Sequence, residues 1–196
     1  MADSIRAFVA IDLPEHAKQS LAQLTEILRG AYVGGLRTVR PEDIHLTLKF
    51  LGNVPADQVT QIGAEVGRAA AKHSAFDLTL GGIGVFPNRR SPQVLWAGVE
   101  GDLETLRDIQ SDLEGLLETL GFAREKREFN PHLTLARLDD RVSREERQRA
   151  VDVLEQAGFG PVAIRASSVS LIRSILRPRG AEYRNLVKVP LSRSAT

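Results

Sequence analysis

The chain has 196 residues, enough for one sizeable hydrophobic core or for two small lobes that share one. Charged residues make up 26% of it and the formal net charge is only +1, so a nucleic-acid partner would have to be held by a local basic patch. The sequence contains no cysteine, which excludes disulfide bonds, thiolate metal sites and cysteine nucleophiles and fits a reducing cytoplasm.

The N-terminal segment has no basic stretch followed by a long apolar one. Its apolar run, residues 7–11, is too short for a signal peptide or a membrane span and predicts a strand instead. We therefore expect a soluble, cytoplasmic protein that makes no contact with a membrane.

Periodicity predicts four amphipathic helices and seven strands. In chain order, the predicted elements are a strand (6–13), a helix (14–30), a strand (44–51), a helix (55–73), two strands (76–86 and 93–100), a helix (101–121), a strand (131–138), a helix (143–157) and two strands (162–172 and 183–191). Ser143, with Glu146 three residues later, forms the capping-box pattern expected at the start of the fourth helix.

After the first strand, the order helix, strand, helix, strand, strand occurs twice. The two copies are offset by about 87 residues, the separation of His45 and His132, which predicts one duplicated unit over about residues 14–100 and 101–190. We therefore expect an α+β fold in which residues 1–196 form a single two-lobed domain. Each lobe would be an antiparallel sheet covered by helices, and a pseudo-two-fold axis would relate the lobes around a central cleft.

The tetrapeptide HLTL begins at His45 and again at His132. Residues two apart on a strand point to the same face, so His45 and Thr47 would share one face, as would His132 and Thr134, while the leucines are buried. One such tetrapeptide is ordinary strand alternation. Its presence at two of the four histidines favours a function, with both pairs converging on the cleft. The other histidines, His16 and His73, are expected on helix surfaces.

Other candidate sites are weaker. The segment GGIGVFPN lacks the third glycine of a dinucleotide-binding loop and is interpreted as turn or bulge glycines. There is no P-loop lysine, no G-x-S-x-G elbow and no short cluster with metal-ligand spacing. The single tryptophan, Trp96, lies in a strand and is interpreted as a core residue.

Two histidines facing each other suit concerted acid–base chemistry near neutral pH, with one neutral to accept a proton and the other cationic to donate one. Two threonine hydroxyls could donate to anionic oxygens held between the imidazoles. A phosphodiester offers such oxygens, and its alkoxide leaving group needs a proton. No metal or cofactor is required.

These paired H-x-T-x motifs on a duplicated α+β unit resemble the 2H phosphoesterase superfamily. Within it, the chain is similar to the RNA 2′,3′-cyclic phosphodiesterases, formerly named 2′-5′ RNA ligases. The similarity includes the segments RAFVAIDLP, FPNRRSPQVLWAGV and LIRSILRPRGAEY and extends over nearly the whole chain. The resemblance implies metal-independent hydrolysis of RNA 2′,3′-cyclic phosphate ends to 2′-phosphate ends, without a cofactor or an obligate protein partner.

The resemblance also implies residue roles. His45 would donate a proton to the leaving 3′ oxygen and His132 would accept one from water; symmetry alone leaves that order open. Thr47 and Thr134 would bind phosphate. Arg137 matches a phosphate-binding position and Phe50 a base-binding position, although each is five residues past its histidine, so a bulge or a strand end must turn it into the cleft.

Three alternatives remain open at this point. The same fold could serve as a catalytically idle nucleotide-binding module. The same site could join a 2′,3′-cyclic phosphate to a 5′-hydroxyl, which is the reverse, ligase direction. It could also hydrolyse small cyclic nucleotides or 2′-5′ oligonucleotides.

Overall fold

The structure is a computed structural model that describes residues 4–177 and 180–192. Within these residues the chain forms nine strands and four α-helices. In chain order they are β1 (Ser4–Asp12), α1 (Glu15–Gly30), β2 (Leu36–Thr38), β3 (His45–Pro55), α2 (Val59–Ala70), β4 (Phe76–Phe86), β5 (Val94–Gly101), α3 (Leu103–Glu118), β6 (His132–Leu138), α4 (Arg144–Ala157), β7 (Val162–Ala166), β8 (Ser168–Arg177) and β9 (Gly180–Pro190).

The strands form two antiparallel sheets. One has four strands in the order β3-β1-β8-β9, and the other has five in the order β2-β6-β5-β4-β7. Helix α2 packs on β8 and β9 and α3 packs on β3, while α1 packs on β6 and β7 and α4 packs on β4. The predicted α+β class, with two helix-covered antiparallel sheets, is confirmed.

The sheets do not follow the two halves of the chain. The four-stranded sheet combines β1 and β3 with β8 and β9, and the five-stranded sheet combines β2, β4 and β5 with β6 and β7. Our expectation that each half would form its own lobe is therefore wrong. Each half places its HLTL strand in one sheet and its following pair of strands in the other sheet: β3 shares a sheet with β8 and β9, and β6 shares a sheet with β4 and β5.

The predicted strand over 162–172 is also wrong in detail. It divides at Ser167 into β7, which pairs with β4, and β8, which pairs with β1. The main-core residues are Ile164 and Ala166 in β7 but Val169 and Leu171 in β8, so the apolar alternation changes phase where the chain passes from one sheet to the other. The short strand β2 was not predicted, because three residues carry too little periodicity.

The helices bury one stripe each, and the fourth begins as predicted. The Ser143 side chain accepts a hydrogen bond from the Glu146 backbone, and the Glu146 carboxylate accepts one from the Ser143 backbone. No helix in the described residues is long and apolar enough to cross a bilayer.

Strand β1 is buried on both faces, which explains its continuous apolar sequence. Ala7, Val9 and Ile11 belong to the main core beneath the helices. Phe8 and Ala10 point the other way and form a small second cluster with Ile172, against which Tyr183 packs. The four-stranded sheet therefore has an apolar floor on the face away from the helices.

Candidate active site

The two strands that carry the HLTL motifs contact each other between the sheets. Strand β3 is an edge of the four-stranded sheet, and β6 lies second in the five-stranded sheet. The histidine and threonine of each motif are partly exposed, and the four motif leucines are 0–3% exposed. Alternation thus places each His/Thr pair on the face opposite the helices, as expected for strands with one buried face.

Each motif strand has a bulge at its second motif leucine. In the β1–β3 pair, Val9 is opposite Lys49 and Ala10 is opposite Thr47, so Leu48 is the extra residue. In the β5–β6 pair, a register shift of the same kind makes Leu135 the extra residue. The two strands consequently share one burial pattern over their first six residues, with two consecutive buried residues after the threonine.

The bulges turn Phe50 and Arg137 to the side of the histidines and threonines. Phe50 is 66% exposed and Arg137 is exposed, although odd spacing from the histidine would bury both on a regular strand. The same shift buries Lys49, whose ammonium donates to Glu114 (2.5 Å) and to the Ala123 carbonyl (2.9 Å). The structure therefore contains the bulges that are needed to turn Phe50 and Arg137 to the same side as the histidines.

His45 lies in an aromatic setting. Its ring stacks on Phe8 with centroids 4.4 Å apart, and Tyr183 meets it edge-on at 5.0 Å. Burial lowers the pKa of His45 to about 4, although a hydrogen bond with the Asp43 backbone and the charge of Asp12 act in the opposite direction. His45 is therefore neutral at neutral pH.

His132 has a matching environment on the other sheet. Phe86 meets its ring edge-on at 4.8 Å, and the ring of Trp96 is 6.2 Å away. Burial lowers the pKa of His132, Asn130 acts against this through its backbone, and the charge of Arg137 lowers the pKa further. Nδ1 of His132 donates to the Asn130 carbonyl at 2.8 Å, which leaves Nε2 without a proton in the neutral ring. Such a nitrogen can accept a proton from water.

The residues opposite the two histidines differ in charge. Asp12 is directly opposite His45 in the β1–β3 pair, whereas Gly98 is directly opposite His132 in the β5–β6 pair. The Asp12 carboxylate accepts a hydrogen bond from the Ser170 hydroxyl at 2.7 Å and lies 3.3 Å from the Lys188 ammonium. The surroundings of His45 and His132 thus have the same bulged backbone but differ in the charge of the residue opposite the histidine.

Arg137 is available to an anionic ligand. Its neighbour on β2, Arg37, is opposite it in register but is engaged by the Asp139 carboxylate at 2.6 Å. Arg141 and Arg37 hold the pKa of Asp139 at about 2, so this carboxylate stays ionised. Within residues 4–177 and 180–192, no carboxylate lies within ion-pair distance of Arg137 itself.

The two sheets meet near the histidines through β3 and β6, which contact each other. Burial raises the pKa of Tyr183, on β9, and the charge of Arg137, on β6, acts against this rise. The Tyr183 ring in turn meets the His45 ring edge-on at 5.0 Å. On the side of the four-stranded sheet, Arg40, which precedes β3, donates to the Ala181 carbonyl on β9 at 3.2 Å.

The remaining histidines lie elsewhere. His16 is exposed on α1, as expected, and bonds to the Ala163 carbonyl. His73 is not a free surface residue: it is partly buried, and its Nε2 lies 2.8 Å from the Asp112 carboxylate. Among the residues described by the structure, no three His, Asp or Glu side chains are grouped closely enough to hold a metal ion.

The glycine segment on β4 has a structural role. Gly82 adopts a φ of +68° at the register shift between Leu80 and Ile83, which is the predicted bulge. A Cβ at Gly84 would lie 2.1 Å from the ring of Trp96, so only glycine leaves room for that ring.

Sequence reasoning missed the aromatic residues around the histidines. Phe8, Tyr183 and Phe86 line the histidine rings, and Trp96 is half buried beside His132 rather than part of the main core. One signal was available for Phe8, because residues 7–11 of β1 are all apolar and so must bury both faces of the strand. For the others, the sequence does not show which face of the strand meets the second sheet.

Comparisons with known proteins agree with this geometry. The model of the family described as LigT like phosphoesterase matches residues 11–96 and 99–182. Among curated relatives named RNA 2′,3′-cyclic phosphodiesterase, that of Methanothermobacter thermautotrophicus is 34% identical over 93% of this chain and 96% of its own length. That of Aeropyrum pernix is 35% identical over 81% of this chain and 88% of its own length.

Solved structures show the same fold. The protein TT0787 of Thermus thermophilus has a TM-score of 0.75 and 29% identity, covering 97% of this chain and 100% of that one. E. coli LigT complexed with 3′-AMP has a TM-score of 0.73 with the same coverage, and at 24% identity it shows the fold alone.

Proposed function

Because the chain belongs to the LigT-like phosphoesterase family and is a phosphodiesterase, we propose that it hydrolyses RNA 2′,3′-cyclic phosphate ends to 2′-phosphate ends. The name shared by its curated relatives supports the substrate. The proposed reaction rests on one observation about the two bulged motif strands. They contact each other, and each presents a histidine and a threonine on its face away from the helices.

In the proposed reaction His132 accepts a proton from water, which attacks the phosphorus. The bond between phosphorus and the 3′ oxygen breaks, and His45 donates a proton to that oxygen, leaving a 3′-hydroxyl and a 2′-phosphate. The Nδ1–Asn130 hydrogen bond leaves Nε2 of His132 free to accept a proton, and because His45 has a similar bond with the Asp43 backbone, the order of the two roles follows the family resemblance. Exchange of protons with solvent then restores the starting forms.

Substrate binding would use the residues that flank the histidines. Thr47 and Thr134 would donate to the phosphate oxygens, and Arg137, which has no carboxylate partner among the described residues, would supply a cationic donor. Phe50, 66% exposed, would stack on the terminal base. The negative charge of the bound phosphate would raise the pKa of both histidines and so help to protonate His45.

The reaction is proposed to need no metal. The imidazolium, the threonine hydroxyls and the guanidinium account for every charge that develops, and no close group of metal ligands occurs within the described residues.

An end-mapping experiment tests the proposal. A short RNA with a 2′,3′-cyclic phosphate is incubated with the protein in EDTA, and the product ends are identified by their sensitivity to phosphatase and by migration against 2′- and 3′-phosphate standards. We expect 2′-phosphate ends at the same rate with and without EDTA. Activity that disappears in EDTA and returns with Zn²⁺ or Mn²⁺, or 3′-phosphate products, would refute the mechanism.

A further inference from the structure

We propose that Asp12 is a positioning residue whose charge favours the protonated form of His45 against the effect of burial and so supports His45 as the proton donor. The inference rests on the proposed function, since it concerns the donor role within that mechanism. The HLTL tetrapeptides do not distinguish the two histidines, because the two strands share these four residues, the bulge and the burial pattern. A difference in role must therefore come from the residues around the tetrapeptides.

The position opposite each histidine supplies that difference. Residues directly opposite in an antiparallel pair project from the same face and have neighbouring Cβ atoms, so Asp12 and His45 lie side by side. The matching position on the other sheet is Gly98, which has no side chain. A carboxylate favours the imidazolium beside it, so only His45 has a built-in counter-charge.

Asp12 is held in place. Ser170, which is 0% exposed, donates to its Oδ2 at 2.7 Å, and the Lys188 ammonium lies 3.3 Å from the same oxygen. A carboxylate fixed by two donors on β8 and β9 keeps its charge at a constant distance from His45. Near His132 the fixed charge has the opposite sign, since Arg137 is on the same strand and favours the neutral imidazole.

Other charged groups also face His45. Lys18 on α1 disfavours its protonation, whereas a hydrogen bond with the Asp43 backbone favours it. The Asp43 carboxylate is engaged by Arg40 at 2.6 Å. On β9, the Tyr183 ring meets the His45 ring edge-on, and Lys188 acts on His45 indirectly by pairing with Asp12. Asp12 differs from the other groups because it is a carboxylate on the strand that pairs with β3, directly opposite His45.

The test uses variants for which this role predicts opposite effects. Asp12→Asn removes the negative charge and should lower the pKa of His45, whereas Lys188→Met leaves the carboxylate uncompensated and should raise it. The pKa is read from histidine ring signals by NMR titration of the free protein, with the His45 signal assigned by its loss in His45→Gln. Asp77→Asn, which removes a strand aspartate from an exposed ion pair with Arg165 (2.8 Å), is the matched control and should change neither the His45 pKa nor the rate.

Hydrolysis of the cyclic-phosphate RNA at pH 8 gives the functional readout. At this pH the loss of kcat/KM in Asp12→Asn should equal the fold decrease in protonated His45, and Lys188→Met should lose none. An ion pair with only a structural role would make both variants lose activity together. An unchanged His45 titration in Asp12→Asn overturns the inference and leaves the proposed function standing, whereas full activity in His45→Ala overturns both.

Discussion

The imidazole of His45 lies on the phenyl ring of Phe8, with centroids 4.4 Å apart and planes inclined by 23°. The contact removes water from one face of a group that has to carry a positive charge in the proposed mechanism. Burial is accordingly the largest influence on the pKa of His45 and lowers it to about 4. A donor with so low a pKa would be protonated mainly when the anionic phosphate binds, which couples proton donation to substrate binding.

The first prediction concerns the pH dependence of hydrolysis. The productive pair has His45 protonated and His132 neutral, and burial lowers the pKa of both. Above both pKa values the singly protonated fraction falls about tenfold per pH unit, so kcat/KM should peak below pH 6.5, the ordinary pKa of imidazole. The limits of this bell describe the coupled pair rather than either residue.

The optimum for kcat should lie at higher pH than that for kcat/KM, because the bound phosphate raises both histidine pKa values. Initial rates from pH 4.5 to pH 8.5 with a dinucleotide 2′,3′-cyclic phosphate give both curves. A kcat/KM that rises up to pH 7.5 would contradict the burial of the two rings.

The second prediction concerns stability. The pKa of His45 is about 4 when folded and near 6.5 when unfolded, so between these values the unfolded chain binds more protons. The free energy of unfolding should therefore decrease as the pH falls from 6.5 to 4, by on the order of 3 kcal/mol from this residue. Urea denaturation of the wild-type protein and of His45→Gln over this range isolates the contribution. The variant should show the shallower decline, and parallel curves would contradict the prediction.

The alternation of side chains along a strand was sufficient to predict that each His/Thr pair lies on one face, because residues two apart on β3 and β6 share a face. The same alternation showed that Phe50 and Arg137 could reach this face only if the strands were irregular, and the bulges at Leu48 and Leu135 provide the irregularity. The sequence could not show that β1 pairs with β8, since strand partners depend on packing between distant segments.

The environment of each histidine was equally beyond the sequence. The stacking of Phe8 on His45 depends on the pairing of β1 with β3, and the fixing of Asp12 by Ser170 depends on strands brought together from opposite ends of the chain. The burial of Lys49 was unexpected for the same reason, since its partner Glu114 lies on a helix 65 residues away.

The third prediction compares two neighbouring arginines. Arg137→Ala should lower kcat/KM about 10- to 100-fold, the usual effect of losing one charge-assisted hydrogen bond to phosphate. Arg37→Ala is the matched control and should change the rate no more than about threefold, because Asp139 already engages its guanidinium. Arg137→Ala should also raise the pKa of His132, since the Arg137 charge lowers it, and so move a limit of the rate profile to higher pH. Equal losses in the two variants would show that Arg137 has no special access to the substrate.

The last prediction assigns the two proton transfers by experiment. His45→Ala and His132→Ala should each lower the rate at least about 100-fold, and the double variant should lose much less than the product of the two, since the residues act as a unit. Thr47→Ala and Thr134→Ala should each lose less than either histidine variant, because one neutral donor is removed while the proton path remains.

The substrate's leaving group separates acid from base. An aryl phosphodiester that releases nitrophenolate needs no proton on its leaving oxygen, whereas the attacking water still has to lose one. With this substrate His45→Ala should recover much of the wild-type rate, while His132→Ala should stay impaired, as measured by nitrophenolate release at a fixed pH. Arg37→Ala serves again as the control, since it should respond equally to both substrates. Recovery in His132→Ala instead would mean that the proton donor lies on β6 and that the roles proposed for the two histidines are reversed.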